Sequence, residues 1–318
     1  MKSLRPKVAI IGAGNVGSTF AFSLMISGLA REIALIDRNE LRARGECMDL
    51  NHGLSLAHPT KIYSSGYEGC QDADIVVITA GTKQKPGQTR IDLVQANTEI
   101  YKEIISKITK YGRNAILLVV SNPVDILTYV TLKISGFSPQ KVIGSGTVLD
   151  TSRFRYLISE HCGVDPRNVH AYIIGEHGDT ELPVWSNASV GGMVLAKYCP
   201  MCNKHSHCDR KKELTNIFEE VKNSAYKIIE AKGATYYALA LALVKIVEAI
   251  LRDENSVLPV STLTNDYYGA NDVCLSIPSL VNRNGVERFL RLELSTQEQK
   301  QFTHSANTLK EVIKNINF

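Results

Sequence analysis

The chain has 318 residues, of which 44% are hydrophobic and 21% charged, a composition typical of soluble globular proteins. This length exceeds what one hydrophobic core usually fills, so we expect two domains. The net charge of +4 is spread along the chain, without a basic run or interleaved aromatic and basic residues, which argues against a nucleic-acid partner.

The apolar runs of the chain are short. Residues 8–11 are too few for the core of a signal peptide, and residues 236–244 are too few to cross a membrane. The seven cysteines are odd in number and lack the regular spacing of a disulfide scaffold. We therefore expect a cytoplasmic protein without a membrane partner.

The first apolar run leads directly into a glycine-rich segment. Residues 8–11 resemble a buried parallel strand, and the sequence GAGNVG that follows matches the pattern G-x-G-x-x-G before a helical stretch at 18–28. At such a strand-to-helix turn, Gly12 permits the turn, Gly14 lets the backbone approach a pyrophosphate, and Gly17 lets helix and strand pack closely. The pattern predicts a dinucleotide site, although alone it also fits an incidental turn.

An acidic residue strengthens that prediction. A second apolar run, residues 33–36, ends at Asp37, twenty residues after Gly17. A carboxylate at this strand end accepts hydrogen bonds from the ribose hydroxyls and repels a 2′-phosphate, which favours NAD over NADP. Arg38 follows and weakens the preference slightly, since an arginine there can pair with a phosphate.

Strands and helices then alternate. Residues 74–79 and 115–120 are predicted strands, whereas residues 91–111 and 124–133 are predicted helices. This order predicts an α/β fold with a parallel, doubly wound sheet of the Rossmann type, whose ligands bind beyond the carboxyl ends of the strands.

Two of these strand ends carry polar residues. Residues 80–90 form a polar loop that contains Gly81 and Gly87, long enough to close over the site as a lid; a solvated connection is the alternative. The other strand end places the hydroxyl of Ser121 and the amide of Asn122 at the crevice.

The second half begins with a predicted helix at 150–162. Asp150 and Arg153 are three residues apart and share one helix face, whereas Arg155 points elsewhere. The acid and the base can therefore both belong to one functional site, but an ion pair on the protein surface is the alternative.

A predicted strand at 169–174 precedes His177, which is flanked by Gly175 and Gly178. Because an imidazole gains or loses a proton near neutral pH, a histidine in a tight loop is a candidate general acid and base. A loop histidine without a role is the alternative.

The remaining elements are coarser predictions. Residues 214–251 are helical, with a break near Gly233 that puts Thr235 where it can reach the crevice. A capping box, Ser295-x-x-Glu298, opens the last helix. Three segments have the composition of strands in a smaller antiparallel sheet: residues 257–263, 274–281 and 285–292.

Residues 199–208 contain three cysteines and two histidines. Four of these side chains could bind zinc, but the spacing does not match a well-known zinc module. We interpret the segment as a variable polar loop and predict no metal.

In this order and spacing, the motifs resemble those of the L-lactate dehydrogenase family, in its bacterial NAD-dependent branch, over nearly the whole chain. The motifs that carry the resemblance are GAGNVGS, ALID, AGTKQKPGQTR, VSNPVD, GSGTVLDTSRFR and NVHAYIIGEHGDTELPVWS. The resemblance implies a Rossmann-type NAD-binding domain at 1–145, an α+β substrate domain at 146–318, and reversible hydride transfer between NADH and pyruvate to give L-lactate and NAD.

The resemblance also implies roles for individual residues. His177 would exchange a proton with the substrate, Asp150 would orient its imidazole, and Arg153 would hold the substrate carboxylate with a two-pronged guanidinium. Arg90 would polarise the carbonyl when the lid closes. Asn122 and Thr235 would line the same crevice.

Substrate choice is expected to depend on Gln84. Malate dehydrogenases place an arginine at the matching position, where it pairs with the second carboxylate of oxaloacetate. A neutral Gln84 offers no such partner, so pyruvate is favoured over a malate or broader 2-hydroxyacid activity, although Lys83 and Lys85 lie close by in the loop.

The family pattern extends to the cofactor and to an effector. The implied cofactor-binding residues are Gly12, Gly14, Val16, Gly17, Asp37, Arg42, Tyr67, Gly81, Thr82, Val120, Ser121, Asn122 and Ser145. Arg155 and His170 match residues that bind fructose 1,6-bisphosphate at a subunit interface of a homotetramer, which implies allosteric activation; interface or surface cations are the alternative. A dehydrogenase-like binding component without activity is a further alternative, but it would not require intact catalytic residues.

Overall fold

The computed structural model describes residues 6–82, 90–195 and 210–316. Its centre is a nine-stranded sheet, and the first half of the chain supplies six parallel strands in the order 3-2-1-4-5-6. These strands are β1 (Lys7–Ile11), β2 (Glu32–Ile36), β3 (Lys61–Ser64), β4 (Ile75–Ile78), β5 (Ile116–Val119) and β6 (Val142–Gly144). The helices between them are α1 (Asn15–Ser27), α2 (Glu40–His52), α3 (Arg90–Tyr111) and α4 (Val124–Ser135).

Apolar side chains cover both faces of this sheet, as expected for parallel strands. On one face, Phe20 and Leu24 of α1 belong to a core that also includes Leu243 and Ile246 from the second half of the chain. On the other face, Tyr101 of α3 packs with the sheet. The doubly wound α/β prediction is confirmed, although sequence inspection did not detect the polar helix α2 or the short strands β3 and β6.

The described part of the second half adds four α-helices: α5 (Val148–Cys162), α6 (Arg210–Lys232), α7 (Tyr237–Leu251) and α8 (Thr296–Lys314). Its strands are β7 (Val169–His170), β8 (Ile173–Ile174), β9 (Leu182–Pro183), β10 (Ser189–Val190), β11 (Met193–Val194), β12 (Ser256–Leu263), β13 (Cys274–Asn282) and β14 (Gly285–Phe289). The break between α6 and α7 and the capping box of Ser295 and Glu298 are confirmed.

The antiparallel strands are arranged differently from the prediction. β12, β13 and β14 pair antiparallel as expected, but they continue the large sheet because Ser261 of β12 pairs with Gly144 of β6. A Cβ atom on Gly144 would lie 2.8 Å from the Cβ of Ser261, so the strands meet only because this position has no side chain. The separate small antiparallel sheets are instead formed by β7, β10 and β11 and by β8 and β9.

The predicted strand at 169–174 is interrupted, and the chain turns at Gly175, whose φ is +93°. Gly175 itself pairs with Ser276 of β13, so the following loop begins beside the large sheet. Within the described ranges, the helices are too short or too polar to cross a membrane.

Candidate active site

Four polar or glycine-rich segments meet at one edge of the parallel sheet. Gly12 follows β1, Asp37 follows β2, Ala80 follows β4 and Ser121 follows β5. The strand order reverses between β1 and β4, which opens a crevice at the carboxyl ends of these strands.

The three glycines of the loop after β1 differ in their surroundings. Gly12 has a φ of +109°, and a Cβ atom there would lie 2.7 Å from Oγ1 of Thr79. A Cβ atom on Gly17 would overlap the carbonyl oxygen of Gly12, whereas one on Gly14 would meet nothing within 4 Å. Gly14 also begins α1 without a side-chain cap, so open space lies before a helix N-terminus that attracts anions. This cradle fits a pyrophosphate.

Asp37 joins the end of β2 to the glycine loop. Its Oδ2 accepts a hydrogen bond from the Ala13 backbone nitrogen at 2.7 Å, and its Oδ1 accepts one from Asn39 at 2.8 Å. Burial, with smaller contributions from Glu103, Cys70 and Asp37, raises the pKa of Tyr67 to about 12. Tyr67 therefore stays a neutral phenol near the proposed ribose site.

A buried asparagine connects the loop after β4 to the loop after β5. The side-chain oxygen of Asn97 accepts from the Thr82 nitrogen at 2.8 Å, and its amide donates to the carbonyl of Asn122 at 3.0 Å. Ser121 donates to the Ala80 carbonyl at 2.6 Å. Sequence inspection missed Asn97; its position as a polar residue on the buried face of an amphipathic helix was the available indication.

The other predicted cofactor residues lie around this crevice. Val120 and Ser145 are buried beyond β5 and β6, and the Ser145 nitrogen donates to the Val119 carbonyl at 2.8 Å. Val16 is half-buried in the first turn of α1, and Arg42 is exposed on α2, where its Nε lies 3.8 Å from Glu46.

The structure brings the three predicted catalytic residues of the second half into contact. Nδ1 of His177 lies 2.6 Å from Oδ2 of Asp150, and a terminal nitrogen of Arg153 donates to Oδ1 of the same carboxylate at 2.9 Å. The exposed fractions of the side chains are 24% for His177, 4% for Asp150 and 13% for Arg153, so only the imidazole is substantially open to solvent. One buried carboxylate therefore holds two cations.

Opposing effects set the pKa values of this cluster. Burial lowers the pKa of His177, but Asp150, with smaller contributions from Glu181 and Asp125, outweighs it and raises the value to about 9. Burial raises the pKa of Asp150, but His177 and Arg153 together hold it below its ordinary value. At neutral pH the cluster is an imidazolium paired with a carboxylate.

Two further carboxyl groups face His177, and neither was predicted as a site residue. Asp125 accepts a hydrogen bond from the His177 backbone nitrogen at 2.7 Å. Glu181 has an exposed fraction of 8%, and potential ligand atoms of Glu181, Asp150 and His177 lie within 4.8 Å of one another. Burial, followed by the charge of Asp150, raises the pKa of Glu181 well above its ordinary value.

Thr235 lies in the break between α6 and α7 and lines a cavity of about 540 Å³ together with Arg153. The structure thus places this predicted pocket residue on the wall of the same cavity as the predicted carboxylate anchor. Leu149, Leu157 and Leu239 contribute apolar surface to the same cavity.

Arg155 lies apart from the catalytic cluster, as its spacing predicted. Its Nε donates to the Ala171 carbonyl at 3.0 Å, and its guanidinium lies 5.3 Å from the ring centre of Tyr172. Burial lowers the pKa of Arg155 from its ordinary value. His170 is exposed on β7, one residue before Ala171.

Several predicted residues lie where the structure does not describe the chain or the side chain. Residues 83–89 of the predicted lid at 80–90, which include Gln84, and the cysteine-rich segment at 199–208 lie outside the described residues. Arg90 begins α3, but its side chain is outside the described part of the structure.

Both halves of the chain match known protein-family models. Residues 6–144 match the lactate/malate dehydrogenase NAD binding domain, and residues 147–317 match the lactate/malate dehydrogenase alpha/beta C-terminal domain. The chain belongs to the lactate/malate dehydrogenase family. NAD is the cofactor of the matched domain, and it fits the cradle around Gly14.

Individual members of the lactate/malate dehydrogenase family resemble the chain along its length. L-lactate dehydrogenase of Acetivibrio thermocellus is 57% identical over 98% of this chain and 97% of its own. L-lactate dehydrogenase of Thermoanaerobacterium saccharolyticum is 54% identical over 98% and 99%. The crystal structure of minor L-lactate dehydrogenase from Enterococcus mundtii superimposes with a TM-score of 0.95 at 42% identity, covering 99% of this chain and 100% of the other.

Proposed function

We propose that the protein is an NAD-dependent L-lactate dehydrogenase that interconverts pyruvate and L-lactate. The observation that carries this proposal is the contact of one buried carboxylate, Asp150, with both His177 and Arg153. Its position beside a dinucleotide crevice, and the L-lactate dehydrogenases that are 57% and 54% identical to the chain, support the same activity.

In this proposal, His177 is the proton donor to the carbonyl oxygen of pyruvate. Its Nδ1 faces Asp150, which leaves Nε2 on the opposite side of the ring for the substrate. NADH supplies the hydride when bound. In the reverse direction, the neutral imidazole accepts the proton of the lactate hydroxyl, and the carboxylate of Asp150 stabilises the resulting imidazolium.

Arg153 anchors the substrate carboxylate. Asp150 occupies one terminal nitrogen of its guanidinium, and the remaining N–H groups are available for a charge-assisted pair. In this proposal, Arg90 polarises the substrate carbonyl, Asn122 forms a hydrogen bond in the same crevice, and Thr235 lines the pocket. The predicted lid, the loop at 80–90, would exclude water as it closes, which would strengthen these interactions.

Pyruvate is the proposed substrate because Gln84 is neutral. A dicarboxylate enclosed beneath the lid would leave one carboxylate buried without a cationic partner, at a cost of several kcal/mol. Rates of NADH oxidation with pyruvate and with oxaloacetate test the choice. Faster oxidation with pyruvate is expected, and faster oxidation with oxaloacetate would favour a malate or broader 2-hydroxyacid dehydrogenase instead.

We also propose a homotetramer that fructose 1,6-bisphosphate activates through Arg155 and His170. In support, Arg155 donates to Ala171, the residue that follows His170, so two basic side chains belong to neighbouring segments. Two-fold symmetry would place two copies of each around one bisphosphate. If added fructose 1,6-bisphosphate changes neither the pyruvate saturation curve nor the assembly state, this part of the proposal is wrong.

The expected location is the cytoplasm, because seven cysteines without the spacing of a disulfide scaffold suggest a reducing compartment. A purified protein that binds NADH but does not turn over pyruvate would instead favour a binding component that resembles a dehydrogenase. The same NADH oxidation assay, combined with an NADH binding titration, separates these two outcomes.

A further inference from the structure

Asp125 is a buried carboxylate that the proposed mechanism does not use. It lies in the first turn of α4 with an exposed fraction of 2%. Its Oδ2 accepts a hydrogen bond from the His177 backbone nitrogen at 2.7 Å, and its Oδ1 accepts one from the Ser261 hydroxyl at 2.6 Å. The Ser276 hydroxyl lies farther from Oδ1, at 3.5 Å.

These contacts join α4 to the loop that carries His177 and to the paired strands β12 and β13. Ser261 of β12 and Ser276 of β13 are direct partners in the antiparallel register, and the backbone of Ser276 exchanges two hydrogen bonds of 2.9 Å with Gly175. The loop that carries His177 is therefore fixed to β13 just before the catalytic residue and to α4 at the catalytic residue itself.

Asp125 is a buried carboxylate whose hydrogen-bond donors are all uncharged among the described residues. Its described donors are a backbone amide and hydroxyl groups, which do not neutralise a carboxylate. Burial raises the pKa of Asp125 to about 6, so the group is ionised at higher pH despite the cost of desolvation. A neutral acceptor would satisfy the same donors, so the hydrogen bonds of Asp125 and its charge are separable properties.

The titratable groups around Asp125 identify the group on which its charge acts. Glu176 and His177 face it from the loop, and Cys274 faces it from β13. Asp150 and Glu181 face the same imidazole from other directions. His177 is the only one of these groups, within the described residues, that becomes a cation, so a negative Asp125 stabilises the protonated imidazole.

We propose that Asp125 is a positioning residue for the proton transfer: its carboxylate fixes the backbone of His177, and its charge helps to keep the imidazole protonated. The inference rests on the proposed function, since it assigns Asp125 to the reaction of His177. It adds a contact between α4, in the first half of the chain, and the proton donor, in the second half.

Two substitutions separate position from charge. Asp125→Asn keeps an oxygen that accepts from the His177 nitrogen, and its amide group can donate to Ser261. This variant is expected to retain pyruvate reduction near neutral pH, whereas the alkaline decline of kcat/KM moves to lower pH. Asp125→Ala leaves the His177 amide without its acceptor and is expected to lose on the order of 100-fold in kcat/KM, with NADH binding retained.

The matched control is Asp272→Asn. Like Asp125, Asp272 is a carboxylate that contacts α4: it accepts hydrogen bonds from Tyr129 and Lys133 of that helix. Its side chain, however, is 64% exposed, and it lies at the opposite end of α4 from Asp125. The pH dependence of kcat/KM for Asp272→Asn is expected to equal that of the unsubstituted protein. The inference is wrong if the profile of Asp125→Asn also equals it, or if folded Asp125→Ala keeps full activity. If Asp125→Ala does not fold, the profile of Asp125→Asn decides.

A second measurement is independent of the substrate. An NMR titration of the His177 ring, assigned with His177→Asn, is expected to give a lower pKa in Asp125→Asn than in the unsubstituted protein. An unchanged ring pKa would refute the inference even if pyruvate is turned over. A lowered ring pKa in a protein that does not reduce pyruvate would refute the proposed function and leave the electrostatic link supported.

Discussion

Asp150 holds the imidazole of His177 through a contact of 2.6 Å between Oδ2 and Nδ1. This contact determines both the direction in which the other ring nitrogen points and the affinity of the ring for a proton.

The two directions of the reaction are expected to respond oppositely to pH. Burial lowers the pKa of His177, but Asp150 and the other acids raise it to about 9. Pyruvate reduction requires the imidazolium, so it should hold below this value and decline as the pH rises through it. Lactate oxidation requires the neutral ring and should increase over the same range. Initial rates in both directions test this, and a pyruvate rate that stays flat through pH 9 would contradict it.

His177→Asn is expected to lower turnover by about 10²- to 10⁴-fold, because an amide can form a hydrogen bond but cannot release a proton. NADH binding should be spared, since the cofactor cradle lies at the glycine loop. Steady-state rates and a fluorescence titration with NADH measure the two properties. His304→Asn, at an exposed position of α8, is the control and should behave as the unsubstituted protein. Near-normal turnover in His177→Asn would overturn the mechanism.

Arg153→Lys is expected to raise the KM for pyruvate by roughly 10- to 150-fold, the equivalent of one lost charge-assisted hydrogen bond. A lysine ammonium cannot bond to Asp150 and grip a carboxylate in a two-pronged way at once. Arg167→Lys is the control, because Arg167 is 90% exposed on a turn that is not part of the site. An equal KM in the two variants would refute the assignment of Arg153 as the carboxylate anchor.

The glycine loop offers a comparison between two alanine substitutions. Gly17→Ala places a methyl group against the Gly12 carbonyl, so a loss of about 1–3 kcal/mol in the free energy of unfolding is expected, together with weaker NADH binding. Gly14→Ala projects into open space and should lower the melting temperature less than Gly17→Ala does, through its position as the N-cap of α1, but it should weaken NADH binding by occupying the pyrophosphate cradle. Thermal unfolding and NADH titration test both variants. Unweakened NADH binding in Gly14→Ala would argue against this position for the pyrophosphate.

Asp37→Ser is expected to reduce kcat/KM with NADH by about 10- to 100-fold and to relax the preference for NADH over NADPH. The substitution removes the carboxylate that would bind the ribose hydroxyls, as well as the acceptor for the Ala13 amide. Asp49→Ser, on the exposed surface of α2, is the control. If the ratio of the two kcat/KM values is unchanged, Asp37 does not select the cofactor.

Local sequence was sufficient where neighbouring residues determine the geometry. A strand, a glycine turn and a helix follow one another within residues 7–27, so the roles of Gly12 and Gly17 were predictable from backbone sterics. The contact of Arg153 with Asp150 likewise follows from a spacing of three residues on a helix.

Contacts between distant residues were not predictable in the same way. Asp125 lies 52 residues before the amide that it accepts from, and no periodicity distinguishes a buried acid from an exposed one. Glu181 was missed for the same reason, whereas Asn97 could have been noticed as a polar residue on the buried face of α3. The pairing of β12 with β6 depends on two small residues meeting across the sheet, whereas the strand pattern of β12 fits an independent sheet equally well.

That pairing limits how the chain can be divided. A fragment that ends at residue 145 would retain the glycine loop and Asp37, but it would expose the backbone of β6 as an open sheet edge and uncover the face of α1 that packs with α7. Open edges of this kind recruit other strands, so the fragment would self-associate instead of serving as a free-standing nucleotide-binding module. A cofactor-binding fragment should therefore include both Gly144 and Ser261, and a circular permutation should place its new termini in loops away from this junction.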